Sequence, residues 1–175
     1  EAVNLKLVIR GGVGLDNVDL KYTKEKAITV HNTAAASSVA VAELAFTLML
    51  GITNHVSKAD TSMHKGRWMK KQLKRTELYG KTLGIIGMGR IGSELAIRSL
   101  AFGMKVVAYD PYVKSSKYAK MKTVIKDVLN MANYVSLHLP LTDKTNGLIN
   151  AKMIREFKDG AYLINTGRGK TIVEK

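Results

Sequence analysis

The sequence contains no cysteine among its 175 residues, which excludes a disulfide framework, a thiolate zinc site and a cysteine nucleophile, and suits a reducing, cytoplasmic setting. It has no long uninterrupted apolar run either. The longest, 39–52, carries Glu43 and falls short of the roughly 20 residues needed to cross a bilayer, so it reads as a buried helix. No basic stretch followed by an apolar one opens the chain, and no signal peptide is expected. Acidic residues are scarce: 14 Asp and Glu stand against 28 Lys and Arg, a formal charge of +14. Such an excess invites a nucleic-acid partner, but the cations are spread along the chain. The one denser run, 64–75, has no recognised nucleic-acid motif beside it and reads as a solvated arm or subunit contact. Internal repeats and low-complexity segments are absent as well.

What is present is a glycine-rich turn in the right setting. The segment KTLGIIGMGRIG, 81–92, runs an apolar strand into Gly87-x-Gly89-x-x-Gly92. Residues 82–86 are continuous and apolar, as a strand buried on both faces of a parallel sheet should be, and 93–100 can continue as a helix. Gly87 permits the tight turn, Gly89 lets backbone N–H groups approach a pyrophosphate, and Gly92 lets the helix pack on the strand. Phosphates would then meet a helix N-terminus, where free N–H groups and the macrodipole favour negative charge. A second strand over 105–109 ends at Asp110, at the spacing where a carboxylate meets the adenosine ribose hydroxyls. A carboxylate there accepts bonds from a free 2′-hydroxyl and repels a 2′-phosphate, which favours NAD over NADP.

The rest of the chain alternates in the same way. Strands are expected over 5–9 and 28–31, with the loop Arg10-Gly11-Gly12-Val13-Gly14 and a short helix over 19–25 between them. Ser37 or Ser38 can cap a long helix starting near Val39 and running to about Lys65, where Gly66 suits a left-handed stop. Beyond the glycine motif come a helix near 124–131, a strand over 134–139 closed by Pro140, a helix over 150–156 and a strand over 161–165. Alternation of this kind means an α/β fold, a doubly wound parallel sheet with helical crossovers.

Taken in order, RGGVGLDNVDL (10–20), VAE (41–43), TELYGKTLGIIGMGRIG (76–92), AFGMKVVAYDP (101–111), LHLPLT (137–142) and INTGRG (164–169) resemble the D-isomer-specific 2-hydroxyacid dehydrogenases, most closely their phosphoglycerate dehydrogenase branch. Thr166-Gly167 stands where that branch commonly has Cys-Ala. The resemblance covers nearly the whole chain. It implies a Rossmann-type NAD-binding domain, 36–175, carrying the dimerisation arm, after a remnant of a flavodoxin-like substrate domain, 1–35. It also implies a homodimer, and hydride transfer between NAD and a D-2-hydroxy acid: D-3-phosphoglycerate at the entry to serine synthesis, with glyoxylate, hydroxypyruvate or D-lactate as alternatives. Residue 1 is Glu rather than Met, and the chain is short for an enzyme of two domains, which suits a piece of a longer protein.

Carried over residue by residue, the resemblance implies that Arg90 and Ile91 lie along the pyrophosphate and that Asp110 takes the ribose. Leu139, Thr166 and Gly167 would line the nicotinamide side, and Arg168 matches the family's catalytic arginine. Arg10, Gly12, Val13 and Gly14 would face substrate, the backbone N–H groups of the last three offered to its carboxylate, with Val13 also near the cofactor. The other reading of Arg168 is a salt-bridged loop arginine. The family further requires a histidine acid/base and a glutamate that orients it; none of His31, His55, His64 and His138 occupies that motif, and Glu174 comes too early, so both are expected beyond residue 175. His138 ends a strand, supporting the pocket or satisfying a local hydrogen bond. No metal site is expected, His55 and His64 being nine residues apart in a presumed helix. The rival from another class is a dinucleotide-sensing binding protein like the corepressors that share this fold.

Overall fold

A computed structural model describes residues 2–174. Strands β1 (Leu7–Arg10) and β2 (Thr29–Asn32) flank helix α1 (Leu20–Glu25) and pair in parallel, Arg10 opposite Asn32. Helices α2 (Ser38–Thr53) and α3 (Val56–His64) follow, then β3 (Thr82–Ile86), α4 (Arg90–Ala101), β4 (Lys105–Tyr109), β5 (Lys120–Lys122), α5 (Ile125–Met131), β6 (Tyr134–Leu137), α6 (Ala151–Ile154), β7 (Tyr162–Asn165) and a single 3₁₀ turn, Gly169–Thr171. The last five strands form one parallel sheet in the order β5-β4-β3-β6-β7. Strand order reverses between β3 and β6, and the crevice beyond their carboxyl ends is where open sheets of this kind bind ligands.

The sheet is buried on both sides because its strands alternate between two apolar cores. Leu83, Ile85, Val106, Ala108 and Tyr134 point to the side covered by α2 and α4, where they meet Phe46, Met49, Leu95 and Ala96. Ile86, Val107, Val135 and Leu137 point the other way, to Val128, Leu129 and Ile149. Burying side chains the size of Phe46 and Met49 stabilises by about 1.5–3 kcal/mol each. Gly84 carries no side chain because α5 lies against it: an added Cβ would sit 2.7 Å from Val128 Cγ1 and 2.8 Å from Ala132 Cβ.

The structure corrects three local expectations. The long helix is two helices meeting at 63°. Thr53 Oγ1 donates to the carbonyls of Met49 and Leu50 and Asn54 Nδ2 to that of Leu50, so side chains take up the last-turn acceptors, and His55 then turns left-handed at φ 53°. No single described helix is long and apolar enough to cross a membrane. The stop at Gly66 (φ 66°) holds, but it ends α3, with the Arg67 N–H on the Ser62 carbonyl. Neither serine caps α2: Ser37 makes no side-chain cap bond, and Ser38 Oγ donates to the Ala34 carbonyl. The helix expected over 150–156 is only α6, begun by Asn150, whose side chain accepts from the Lys152 and Met153 N–H groups. The edge strand β5 has no counterpart in the sequence reading.

Candidate active site

A cleft of about 790 Å³ opens between the β1-β2 unit and the carboxyl ends of β3, β6 and β7. Its walls bring together Arg10, Gly12, Val13, Gly14, Gly89, Arg90, Ile91, Gly92, Leu139, Thr166, Gly167 and Arg168, twelve of the residues the sequence singles out. Gly87 and Asp110 lie behind this surface. Gly87, at φ 100°, turns β3 under the loop after β6, and a Cβ on it would meet the His138 carbonyl oxygen at 2.3 Å. Gly92 is equally tight: its Cβ would lie 2.3 Å from the Gly87 carbonyl oxygen.

Gly89 is different. Its backbone (φ −75°, ψ −157°) is open to any residue, and an added Cβ would meet no protein atom within 4 Å. Nothing inside the chain requires glycine there, so what its missing side chain leaves free is cleft space at the N-terminus of α4. The first intrahelical bond is from the Ser93 N–H to the Gly89 carbonyl, and no side chain caps the N–H groups before it. A free helix N-terminus with room in front of it fits an anionic group.

Asp110 has a role that the motif does not reveal. Oδ2 accepts the Met88 N–H at 2.8 Å, and Oδ1 accepts those of Tyr112 and Val113 at 2.8 and 3.1 Å. The carboxylate therefore ties the glycine turn to the end of β4. With about four lone-pair positions on a carboxylate, three bonds leave one for a hydroxyl.

On the opposite wall the loop 10–14 is pinned to β2. Asn32 Nδ2 donates to the Val13 carbonyl at 2.7 Å, and the Gly12 N–H donates to Thr33 Oγ1 at 2.9 Å. That corrects one expectation: the Gly12 N–H is not offered to a substrate, because the Thr33 hydroxyl takes it. Those of Val13 and Gly14 donate to no group among the described residues.

Arg168 leaves the end of β7 on a loop shaped by Asn165, whose side chain accepts the Gly167 N–H and donates to the Arg168 carbonyl. Its guanidinium reaches across the cleft to Asp16, Nε and Nη2 lying 2.8 and 2.7 Å from Oδ1. The guanidinium holds the Asp16 carboxyl below the usual carboxylate range. Asp16 is the residue that sequence reasoning missed; its partner is 152 positions away, and no local pattern marks the pair. The alternative of a salt-bridged arginine is thus realised inside the cleft, beside the glycines expected to meet substrate.

His138 lines the same cleft. Its Nε2 lies 3.0 Å from Ser136 Oγ, and burial pushes its pKa down to about 4. The hydroxyl of Thr166, another wall residue, is buried and bonded to nothing among the described residues. An orphaned hydroxyl in the wall and an uncapped approach to α4 both fit a large polar cofactor laid across β3, β6 and β7.

Sheet order, glycine turn and cleft together define a dinucleotide-binding domain of the Rossmann type. Residues 46–175 match the profile of the D-isomer specific 2-hydroxyacid dehydrogenase NAD binding domain, and the chain belongs to that family. Over 176 residues it is 48% identical to a hydroxypyruvate reductase of Thermotoga maritima, covering 98% of this chain and 56% of the relative. Identity to a D-3-phosphoglycerate dehydrogenase of Methanocaldococcus jannaschii is 42% over 179 residues, covering 100% and 34%. The D-lactate dehydrogenase of Aquifex aeolicus, solved with NAD and lactic acid, superposes with a TM-score of 0.86 at 38% identity, over 96% of this chain and 51% of that one. The chain spans between a third and about half of the length of these relatives.

Proposed function

We propose that this chain supplies the cofactor and anion-binding half of an enzyme that transfers hydride between NAD and a D-2-hydroxy acid, with D-3-phosphoglycerate as substrate. The observation that supports this substrate is the two arginines, Arg10 and Arg168, that the cleft holds besides Arg90, which is assigned to the cofactor phosphates. Arg168 is matched by Asp16, whereas Arg10 donates only to the Gly11 carbonyl, at 2.5 Å, and has no carboxylate partner among the described residues. With Arg90 set aside for the cofactor, one ion-paired guanidinium and one without a direct carboxylate contact suit a substrate carrying an anionic group besides the carboxylate at its reacting end. A bidentate guanidinium at Arg168 would grip that carboxylate and polarise the neighbouring carbonyl. Bound NAD supplies hydride acceptance; Gly89, Arg90 and Ile91 would hold its phosphates and Asp110 its ribose. A second reading, reduction of hydroxypyruvate or glyoxylate, is favoured by the 48% identity to the Thermotoga reductase.

Proton transfer is assigned to groups beyond this chain. Of the four histidines only His138 lines the cleft, and a pKa of about 4 keeps it from serving as an acid/base near neutrality. The enzyme is also proposed to be a homodimer. Helix α2 buries Ala42, Ala45, Phe46 and Met49 yet exposes Leu44 and Leu48, 52% and 43%, beside an arm whose Trp68 is 73% exposed. The test of function is NADH absorbance with D-3-phosphoglycerate, hydroxypyruvate and glyoxylate, run with NAD and NADP cofactors. The whole protein should turn over the phosphorylated acid fastest, with NAD, and this chain alone should turn over none. Faster turnover of hydroxypyruvate or glyoxylate would move the assignment to the second reading.

A further inference from the structure

Arg168 carries five N–H groups on a planar fork, and two of them, Nε–H and one on Nη2, converge on a single oxygen of Asp16. Of the other three, the outer one on Nη2 and one on Nη1 form the end-on edge of the guanidinium, and none makes a bond among the described residues. That edge has the spacing that matches two oxygens held side by side. Asp16 approaches from the loop between β1 and α1, so the bond fixes the rotation of an arginine rooted on the far wall. Space for it is provided by Gly14: a Cβ there would lie 1.7 Å from Arg168 Nη2 and 2.6 Å from Asp16 Oδ1. Here the obstruction is the far end of a flexible side chain, so Gly14→Ala would displace Arg168 rather than break the fold.

We propose that Asp16 is a positioning residue, which through the gap at Gly14 holds the guanidinium of Arg168 edge-on so that its free edge meets the carboxylate and adjacent carbonyl of a 2-keto acid. The inference rests on the functional reading above. It separates two effects that Asp16 has on an incoming anion. Its negative charge opposes binding of any anion, whereas its grip on Arg168 favours only ligands that need both oxygens in register. A monatomic anion such as chloride feels the first; oxamate, which presents paired oxygens to the fork, depends on the second.

The experiment titrates the NADH-bound chain with oxamate and with chloride, following NADH fluorescence, for the unaltered chain, Asp16→Asn and Gly14→Ala. Both variants should bind NADH as the unaltered chain does and lose affinity for oxamate by about tenfold or more, the worth of a charge-assisted hydrogen bond. Chloride affinity should be unchanged or tighter in Asp16→Asn, which removes a negative charge without adding one. Oxamate affinity that is unchanged or raised in Asp16→Asn overturns the proposal, as does an equal loss of chloride and oxamate, which would mark a collapsed loop. Failure of the unaltered chain to bind NADH or oxamate sinks the functional reading, and this inference with it.

Discussion

Gly89 and Gly92 stand three residues apart, and a methyl group added to each should act on a different property. Gly92→Ala drives a Cβ into the Gly87 carbonyl at 2.3 Å and is expected to destabilise the chain by about 1–3 kcal/mol, as overpacking does. Gly89→Ala meets no protein atom and should leave stability unchanged or raise it by about 0.4–1 kcal/mol. Its methyl would instead stand in the cofactor space and weaken NADH by about tenfold or more, or about 1.4 kcal/mol. Urea melts beside NADH titrations check the pair, and a Gly89→Ala chain that is unstable but binds normally would contradict it. His138 gives a pH dependence. Its pKa is depressed to about 4 from the ordinary value of about 6.5, so between those values the unfolded chain takes up a proton that the folded chain refuses. Stability tied to this group is complete above roughly pH 6.5 and is lost as pH falls toward 4, by up to about 1.4 kcal/mol per pH unit. Melts across that window should be flatter for His138→Asn; parallel curves would assign the effect to another group.

Among the elements, those buried on two faces were readable and those shaped by single side chains were not. Strands β3 and β4 announce themselves because every residue from Leu83 to Ile86 and from Val106 to Ala108 is buried, so the sequence there is uniformly apolar. The break between α2 and α3 is silent, because Thr53, Asn54 and His55 include neither glycine nor proline, and only their side-chain bonds reveal it. Strand β5, Lys120-Met121-Lys122, is three residues at a sheet edge, too short and too polar for a period-two signal. The glycine turn and Arg168 were readable as motifs; Asp16 and the Thr33 hydroxyl on Gly12 were not, since each contact joins segments distant in sequence. The end of α1 hides a similar case. Ala27 is left-handed at φ 54°, with the Ile28 N–H on the Thr23 carbonyl at 2.8 Å, a helix stop that normally uses glycine. Ala27→Gly should therefore raise stability by about 0.5–1 kcal/mol, and a lowered melting temperature would show that the turn depends on the methyl group.

For the molecule as a whole, the apolar outer face of α2 and the arm bearing Trp68 predict self-association. The unaltered chain should sediment as a dimer at micromolar concentration, and Leu48→Asp combined with Trp68→Ala as a monomer. An oligomer that survives both changes would place the contact elsewhere. The cleft itself joins parts of very different sequence separation. The glycine turn is closed by the bond from Met88 to Asp110, 22 residues apart, whereas Arg168 meets Asp16 across 152. Because closing a long loop costs more chain entropy than closing a short one, the phosphate end of the cleft is set to assemble first and the arginine fork last. During synthesis from the N-terminus the turn can close once Asp110 is free of the ribosome, while Asp16 waits for Arg168 to emerge. A nascent chain stopped after β5 would then already protect the Met88 amide from exchange, and would carry a cofactor turn before it carried any means of choosing an acid.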